Sequence, residues 1–173
     1  MTAPRVSVYL AHSLDGYIAD ADGSLDWLFR AAGDGDYGYD AFMAGIDCLA
    51  MGRSTWDFIA DEPDLPFGGR PVFVFTHRAA QARDGVQFWS RTPVEAVAEW
   101  EAGGLRHVYL DGGTLISDFL DAGLVDDLTL TVVPLLLGAG TRLFRGIDRR
   151  TPLALESVTP FPNGLVQLRY ARA

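Results

Sequence analysis

His107-Val108-Tyr109-Leu110-Asp111-Gly112-Gly113-Thr114-Leu115-Ile116-Ser117 decides how this chain folds. Four mostly apolar residues, His107 to Leu110, read as a buried strand. Two glycines break it, and a helix follows, with Thr114 as its expected cap and Leu115, Phe119 and Leu120 on one face. Gly123 stands where that helix stops. A strand that feeds a helix through two glycines brings backbone N–H groups to a positive helix end with no side chain in the way. That is a seat for a phosphate. A tight βα turn needing φ > 0 would leave the same trace, because glycine supplies that geometry in any loop.

Outward from this stretch the same grammar repeats. Cys48 to Met51 is a second apolar strand, ending in Gly52-Arg53-Ser54-Thr55-Trp56, where Ser54 or Thr55 is placed to cap a helix. Arg53 is placed to meet an anion there or to form a surface ion pair. Val72 to Phe75 is a third strand and ends in Thr76-His77-Arg78. Val86 to Trp89 is a fourth. Thr92-Pro93-Val94-Glu95 is a helix start with a threonine cap, proline at the first position and glutamate at the third. That helix is expected to run to about Ala102, before Gly103-Gly104.

The flanks differ. Val6 to Ala11 is a first strand, leading into His12-Ser13-Leu14-Asp15-Gly16 and a second Asp-Gly pair at Asp22-Gly23; both pairs mark turns. By spacing alone Asp15 reads first as a turn residue, with a site residue the alternative, and His12 as a satisfied strand-end histidine. Arg30 to Tyr39 lacks periodicity and reads as a mobile loop with aromatic anchors. Asp40 to Gly45 suggests a short helix. Asp127 to Val133 is a sixth strand, which Pro134 to Leu137 would extend past a kink, and Thr141 to Phe144 returns the chain. Leu153 to Val158 and Leu165 to Tyr170 follow without helices between them, so they are expected to be antiparallel. The fold class is α/β, with a mostly parallel central sheet and antiparallel C-terminal strands.

Composition bounds the function. A chain of 173 residues with 49% hydrophobic and 21% charged content reads as one globular domain, residues 1–173. No apolar run approaches the roughly 18 residues of a membrane span. The N-terminus lacks a signal-peptide pattern, so a cytoplasmic protein is expected. The single cysteine, Cys48, allows no internal disulfide and no cysteine-built zinc site, and no metal is expected. A net charge of -9 argues against nucleic acid and anionic membrane as partners. In α/β sheets ligands bind at the carboxyl ends of the strands. Gly52 to Thr55, Thr76 to Arg78 and Gly112 to Thr114 all sit at such ends, and one long ligand with several phosphates explains the three together. The G-x-G-x-x-G dinucleotide fingerprint is absent; Gly138-Ala139-Gly140 is only a partial match.

Met51-Gly52-Arg53-Ser54-Thr55-Trp56 resembles the M-G-R-x-T-W of dihydrofolate reductases. A closer resemblance is to the reductase domain of the riboflavin-biosynthesis protein RibD and to stand-alone bacterial dihydrofolate reductase family proteins. It rests on Ser13-Leu14-Asp15-Gly16-Tyr17-Ile18-Ala19, Asp111-Gly112-Gly113-Thr114-Leu115, Phe119 to Asp127 and Val133 to Gly140, and covers nearly the whole chain. The resemblance implies a dihydrofolate-reductase-like three-layer fold that binds NADPH, and it leans toward a homodimer.

By the same resemblance Gly52, Arg53, Ser54 and Thr55 would hold the pyrophosphate and adenosine-phosphate side. Thr76, His77 and Arg78 would lie beside the ribose 2′-phosphate, with Arg53 and Arg78 as its clamp. Gly112, Gly113, Thr114, Leu115 and Ile116 would cradle the pyrophosphate. Ala11, Ile18 and Ala19 would lie near the nicotinamide. The implied reaction is hydride transfer to a small heterocycle, pterin-like or a riboflavin precursor such as 5-amino-6-(5-phosphoribosylamino)uracil. Asp15 is the first candidate for a polar group at the substrate, and Asp36 and Asp40 are candidate proton donors or anchors. Trp27, Tyr37 and Tyr39 are candidates to stack on a flat ring, with core packing the alternative for each. A nucleotide-binding protein without turnover, or a subunit used for assembly, are the other classes the sequence leaves open.

Overall fold

The structure, a computed structural model, describes residues 2–78 and 80–173. Its centre is an eight-stranded sheet in the order β5-β4-β3-β6-β1-β7-β10-β9. The strands are β1 (Arg5–Ser13), β3 (Cys48–Gly52), β4 (Val72–Phe75), β5 (Val86–Trp89), β6 (His107–Asp111), β7 (Asp127–Val133), β9 (Leu153–Pro160) and β10 (Val166–Arg172). The six from β5 to β7 run parallel, as their apolar, β-branched character and intervening helices predict. β10 pairs antiparallel with β7, and β9 with β10. A two-stranded ribbon, β2 (Tyr17–Ala19) with β8 (Thr141–Arg142), stands apart from the sheet.

Alternation along the strands divides the core in two. Val6, Val8, Val108 and Leu110 pack against α4 (Pro93–Ala102) and α5 (Gly113–Asp121), where Trp89, Trp100 and Phe119 form a buried aromatic stack. Leu49, Met51, Val72, Val74 and Tyr109 face the other way, toward Met43 of α2 (Tyr39–Ala44) and Trp56 of α3 (Arg53–Ile59). This is the expected three-layer arrangement, and Trp56 is a core residue. The capping box of Thr92 with Glu95 is formed, with Pro93 opening α4. Gly123, at φ +70, ends α5: its N–H reaches Leu120 O, and Leu124 N–H reaches Phe119 O.

Four local expectations are corrected. Thr114 does not cap α5: the helix opens one residue earlier, and Gly112 takes the cap position at φ 100 without a side-chain bond. Ser54 and Thr55 likewise lie inside α3, whose cap position is Gly52. β7 ends at Val133 and Pro134 to Leu137 does not extend it, in keeping with the N–H that proline lacks. The segment read as a mobile loop contributes to α1 (Asp26–Ala32), a helix with no buried residue.

Candidate functional site

Four strands deliver their carboxyl ends to one rim. Gly52 closes β3, Phe75 closes β4, Trp89 closes β5, and Asp111-Gly112 closes β6. Because the strands are parallel neighbours, the residues that follow them face a common groove. It has two chambers that share Ile18, Ser54, Thr55, Gly112 and Thr141.

The first chamber is about 400 Å³ and is the more polar of the two. Gly52, Arg53, Ser54, Thr55, Thr76, His77, Gly112, Gly113, Thr114 and Leu115 line it, joined by Ser90, Arg91, Asp118 and Arg145. The first intrahelical bond of α5 with an outside acceptor is Ile116 N–H to Gly112 O, at 2.9 Å. The N–H groups of Gly113, Thr114 and Leu115 therefore have no acceptor within the helix. The glycines are required here. A Cβ at Gly113 would lie 2.5 Å from Arg142 O and 2.9 Å from Leu143 O, and one at Gly112 would lie 2.8 Å from Thr55 Oγ1. Three guanidinium groups, Arg53, Arg91 and Arg145, and one carboxylate, Asp118, stand in this lining; Arg53 is paired with Asp57 at 2.6 Å and Arg91 with Glu99 at 2.5 Å from behind it. Helix amides without an acceptor in the helix, guanidinium groups at the rim and a backbone with no Cβ to obstruct it form a donor set that fits an extended polyphosphate.

The second chamber is about 320 Å³ and mostly apolar. Leu10, Ala11, Ile18, Ala19, Leu25, Leu28, Phe58, Tyr9 and Tyr109 enclose it, and Asp111 is its carboxyl group. Burial pushes the Asp111 carboxyl up to about 6, and only the Gly112 N–H supports its charged form. The same desolvation, with Asp111 nearby, raises the phenols of Tyr39 and Tyr109 above their ordinary value. Tyr109 Oη donates to Tyr9 O at 2.8 Å, so the chamber wall is tied across β6 and β1.

The residues singled out from the sequence separate into two groups. Ala11, Ile18, Ala19, Gly52, Arg53, Ser54, Thr55, Thr76, His77, Gly112, Gly113, Thr114 and Leu115 line the two chambers. Ile116, on the core face of α5, is fully buried. Arg78 is exposed beside the groove, with Nη2 3.7 Å from Asp57 Oδ2.

The remaining candidates lie outside both chambers. Asp15 accepts from Ser13 Oγ at 2.6 Å, Leu137 N–H at 3.1 Å and Gly138 N–H at 2.7 Å, which clamps the β1–β2 turn to the loop after β7. The Ser13 hydroxyl, with these backbone donors, holds its carboxyl down at about 2, so at neutral pH it keeps no proton to give. Asp36 accepts from the backbone of Gly38 and Asp40 and so sets the start of α2, where Asp40 is exposed. Tyr37, at φ 55, is a latch: its carbonyl accepts from Tyr9 and Gln167, its hydroxyl bonds Ala32 O and Asn163, and its ring packs on Phe161. Tyr39 packs edge-on to Tyr9 and Tyr109, and Trp27 is half-buried on α1.

Sequence reasoning missed Ser90, Arg91 and Arg145 as lining residues and Asp111 as the carboxyl of the second chamber. Arg91 was findable, since it follows a strand end as Arg78 does. Arg145 sits in a loop after β8 with no local pattern to mark it.

Comparison with known proteins agrees with this architecture. The YwjB protein of Bacillus subtilis, itself uncharacterized, is 34% identical over 172 residues, covering 98% of each chain. A Shewanella sp. PV-4 protein provisionally named for riboflavin biosynthesis superposes with a TM-score of 0.89 at 34% identity, covering 99% of both chains. Dihydrofolate reductase from Enterococcus faecalis, complexed with NADP(H), shares the fold at a TM-score of 0.65 and 18% identity, over 97% of this chain and 96% of its own. The RibD C-terminal domain pattern matches residues 4–167, and the chain belongs to that family.

Proposed function

We propose that this protein is an NADPH-dependent reductase that transfers hydride to a small flat heterocycle. The observation that carries the reading is the junction of the two chambers at Gly112, Ser54 and Thr55. A polyphosphate seat opens there directly onto an apolar pocket that holds one carboxyl of raised pKa. When bound, the cofactor supplies the hydride from its nicotinamide. Gly113, Thr114 and Leu115 would seat the pyrophosphate through backbone N–H groups, with Gly112 leaving the approach open. Arg53, Arg78 and Arg91 would meet the adenosine phosphates with charge-assisted bonds, beside the His77 ring. Ala11, Ile18 and Ala19 press the nicotinamide toward the acceptor, and Leu25, Leu28 and Phe58 exclude water. Asp111, with a carboxyl near 6, is the candidate proton donor at the atom beside the one that takes hydride. The NADP(H)-bound dihydrofolate reductase of like fold supports the cofactor, and the family supports a riboflavin-precursor or pterin-like acceptor.

Titration of NADPH and NADH against tryptophan fluorescence, followed by NADPH oxidation with a panel of pterins and pyrimidines including 5-amino-6-(5-phosphoribosylamino)uracil, tests this. Binding without oxidation across the panel would favour a nucleotide-binding role. Arg53→Ala with Arg78→Ala is expected to weaken NADPH by about 100-fold and NADH by far less, since each charge-assisted bond to the 2′-phosphate contributes about 1.5–3 kcal/mol. Equal losses would remove the 2′-phosphate assignment.

We also propose a homodimer and a cytoplasmic location. β9 is the sheet edge, all eight of its residues are exposed, and Leu155 and Val158 stand out from it. Sedimentation of the wild type as a dimer and of Leu155→Lys as a monomer is the expected result; no change on substitution would place the interface elsewhere. No helix among the described residues is long and apolar enough to cross a membrane.

A further inference from the structure

At the outer edge of the polar chamber two arginines from different elements converge on one carboxylate. Arg53, on α3, donates from Nε to Asp57 Oδ1 at 2.6 Å. Arg78, in the turn after β4, places Nη2 3.7 Å from Asp57 Oδ2. The two oxygens of Asp57 are thus divided between two guanidinium groups that would otherwise repel. Arg53 faces the polar chamber on one side and, with Trp56 and Asp57, a neighbouring concavity on the other. Its side chain is 24% exposed, against 46% for Asp57, so the carboxylate lies on the solvent side of the pair.

We infer that Asp57 is a specificity-setting counter-ion, which occupies the arginine pair in place of a ribose 2′-phosphate and so weakens the preference for the phosphorylated cofactor. The inference rests on the NADPH reading above and goes beyond it. A 2′-phosphate that reaches Arg53 and Arg78 arrives as a dianion beside a carboxylate already shared by both. It must share or displace that partner, and it is repelled by it. The protein's net charge of -9 adds no compensation. A cofactor with only a 2′-hydroxyl meets no such repulsion and can donate a hydrogen bond to the same carboxylate. Asp57 therefore holds the two cations together between ligands, keeps the phosphorylated cofactor exchangeable, and narrows the gap between NADPH and NADH.

The test uses the full chain and Asp57→Asn, which keeps the side-chain shape and removes the charge. Calorimetric titration compares adenosine 2′,5′-bisphosphate with adenosine 5′-monophosphate, and NADPH with NADH. Asp57→Asn is expected to bind the bisphosphate and NADPH about tenfold tighter at low ionic strength, with the gain shrinking as salt is added. The monophosphate and NADH are expected to gain nothing, since their 2′-hydroxyl brings no negative charge to Asp57 and only exchanges a carboxylate acceptor for an amide oxygen. Asp57→Ser repeats the measurement with a shorter side chain, and thermal melts confirm that both variants fold. Unchanged or weaker bisphosphate binding, an equal gain for the monophosphate, or no bisphosphate binding to wild type and variant alike would overturn the inference. If the wild type fails to bind NADPH but the bisphosphate gains as expected in the variant, the reductase reading falls and the counter-ion role stands.

Discussion

Asp111→Asn is expected to melt higher than the wild type at pH 8 while losing most of its turnover. The carboxyl is raised from its ordinary 3.8 to about 6 because it is enclosed by the apolar chamber and supported by a single backbone N–H. A group whose folded pKa is raised favours folding in its protonated form. Its contribution is therefore full below about pH 4 and is lost as the pH climbs through 6. Above that the ionised carboxylate costs the folded state about 2–3 kcal/mol, a burden asparagine does not carry. The wild type should lose stability between pH 4 and pH 7 relative to the variant, and the two curves should differ by several degrees at pH 8. Turnover should behave in the opposite sense. Removal of a positioned proton donor should lower kcat by about 100-fold or more. The wild-type fall in kcat above pH 6 should vanish in the variant. Parallel melting curves at every pH, or an unchanged rate, would remove Asp111 from the role given to it.

Gly113→Ala is the second large effect. The added methyl would meet two backbone oxygens, Arg142 O at 2.5 Å and Leu143 O at 2.9 Å, as well as Ile18 Cδ1 at 3.3 Å. Backbone cannot rotate away as a side chain can, so α5 and the β8 segment must separate. Overpacking of this kind costs about 1–3 kcal/mol. Ile18 and Thr141 would move with β2 and β8, and these residues form the wall between the two chambers. NADPH affinity should fall with stability. Gly52→Ala is the control, because its φ is -74 and nothing lies within 4 Å of an added Cβ. Urea denaturation should separate the two variants by more than about 1 kcal/mol. Equal stability would mean that the glycine at the head of α5 is not required by close approach.

The core was legible because each strand carried its own punctuation. Val72 to Phe75, Val86 to Trp89 and Asp127 to Val133 match their predicted bounds, since an apolar run between turn residues has one reading. The parallel order followed from the helices between strands, and the rim of strand ends followed from the parallel order. What escaped has physical causes. α1 buries nothing, so it leaves no periodic trace, and β2 has three residues. Thr114 and Thr55 looked like caps because threonine usually caps, yet glycine at each junction leaves the start of the helix unobstructed for a ligand instead. Asp15 and Tyr37 carry site-like chemistry, but their partners lie far along the chain: Gly138 for the first, Asn163 for the second. Asp111 was in view from the start. Its raised pKa arises from desolvation, and only the fold assembles the surroundings that cause it.

A crystal structure with NADPH tests the central claim most directly. The account predicts the pyrophosphate on the N–H groups of Gly113 and Thr114, the 2′-phosphate between Arg53 and Arg78, and the nicotinamide in the apolar chamber with its C4 edge open toward Asp111. A cofactor bound away from the rim formed by β3, β4, β5 and β6, or one with its adenine in the apolar chamber, would contradict it.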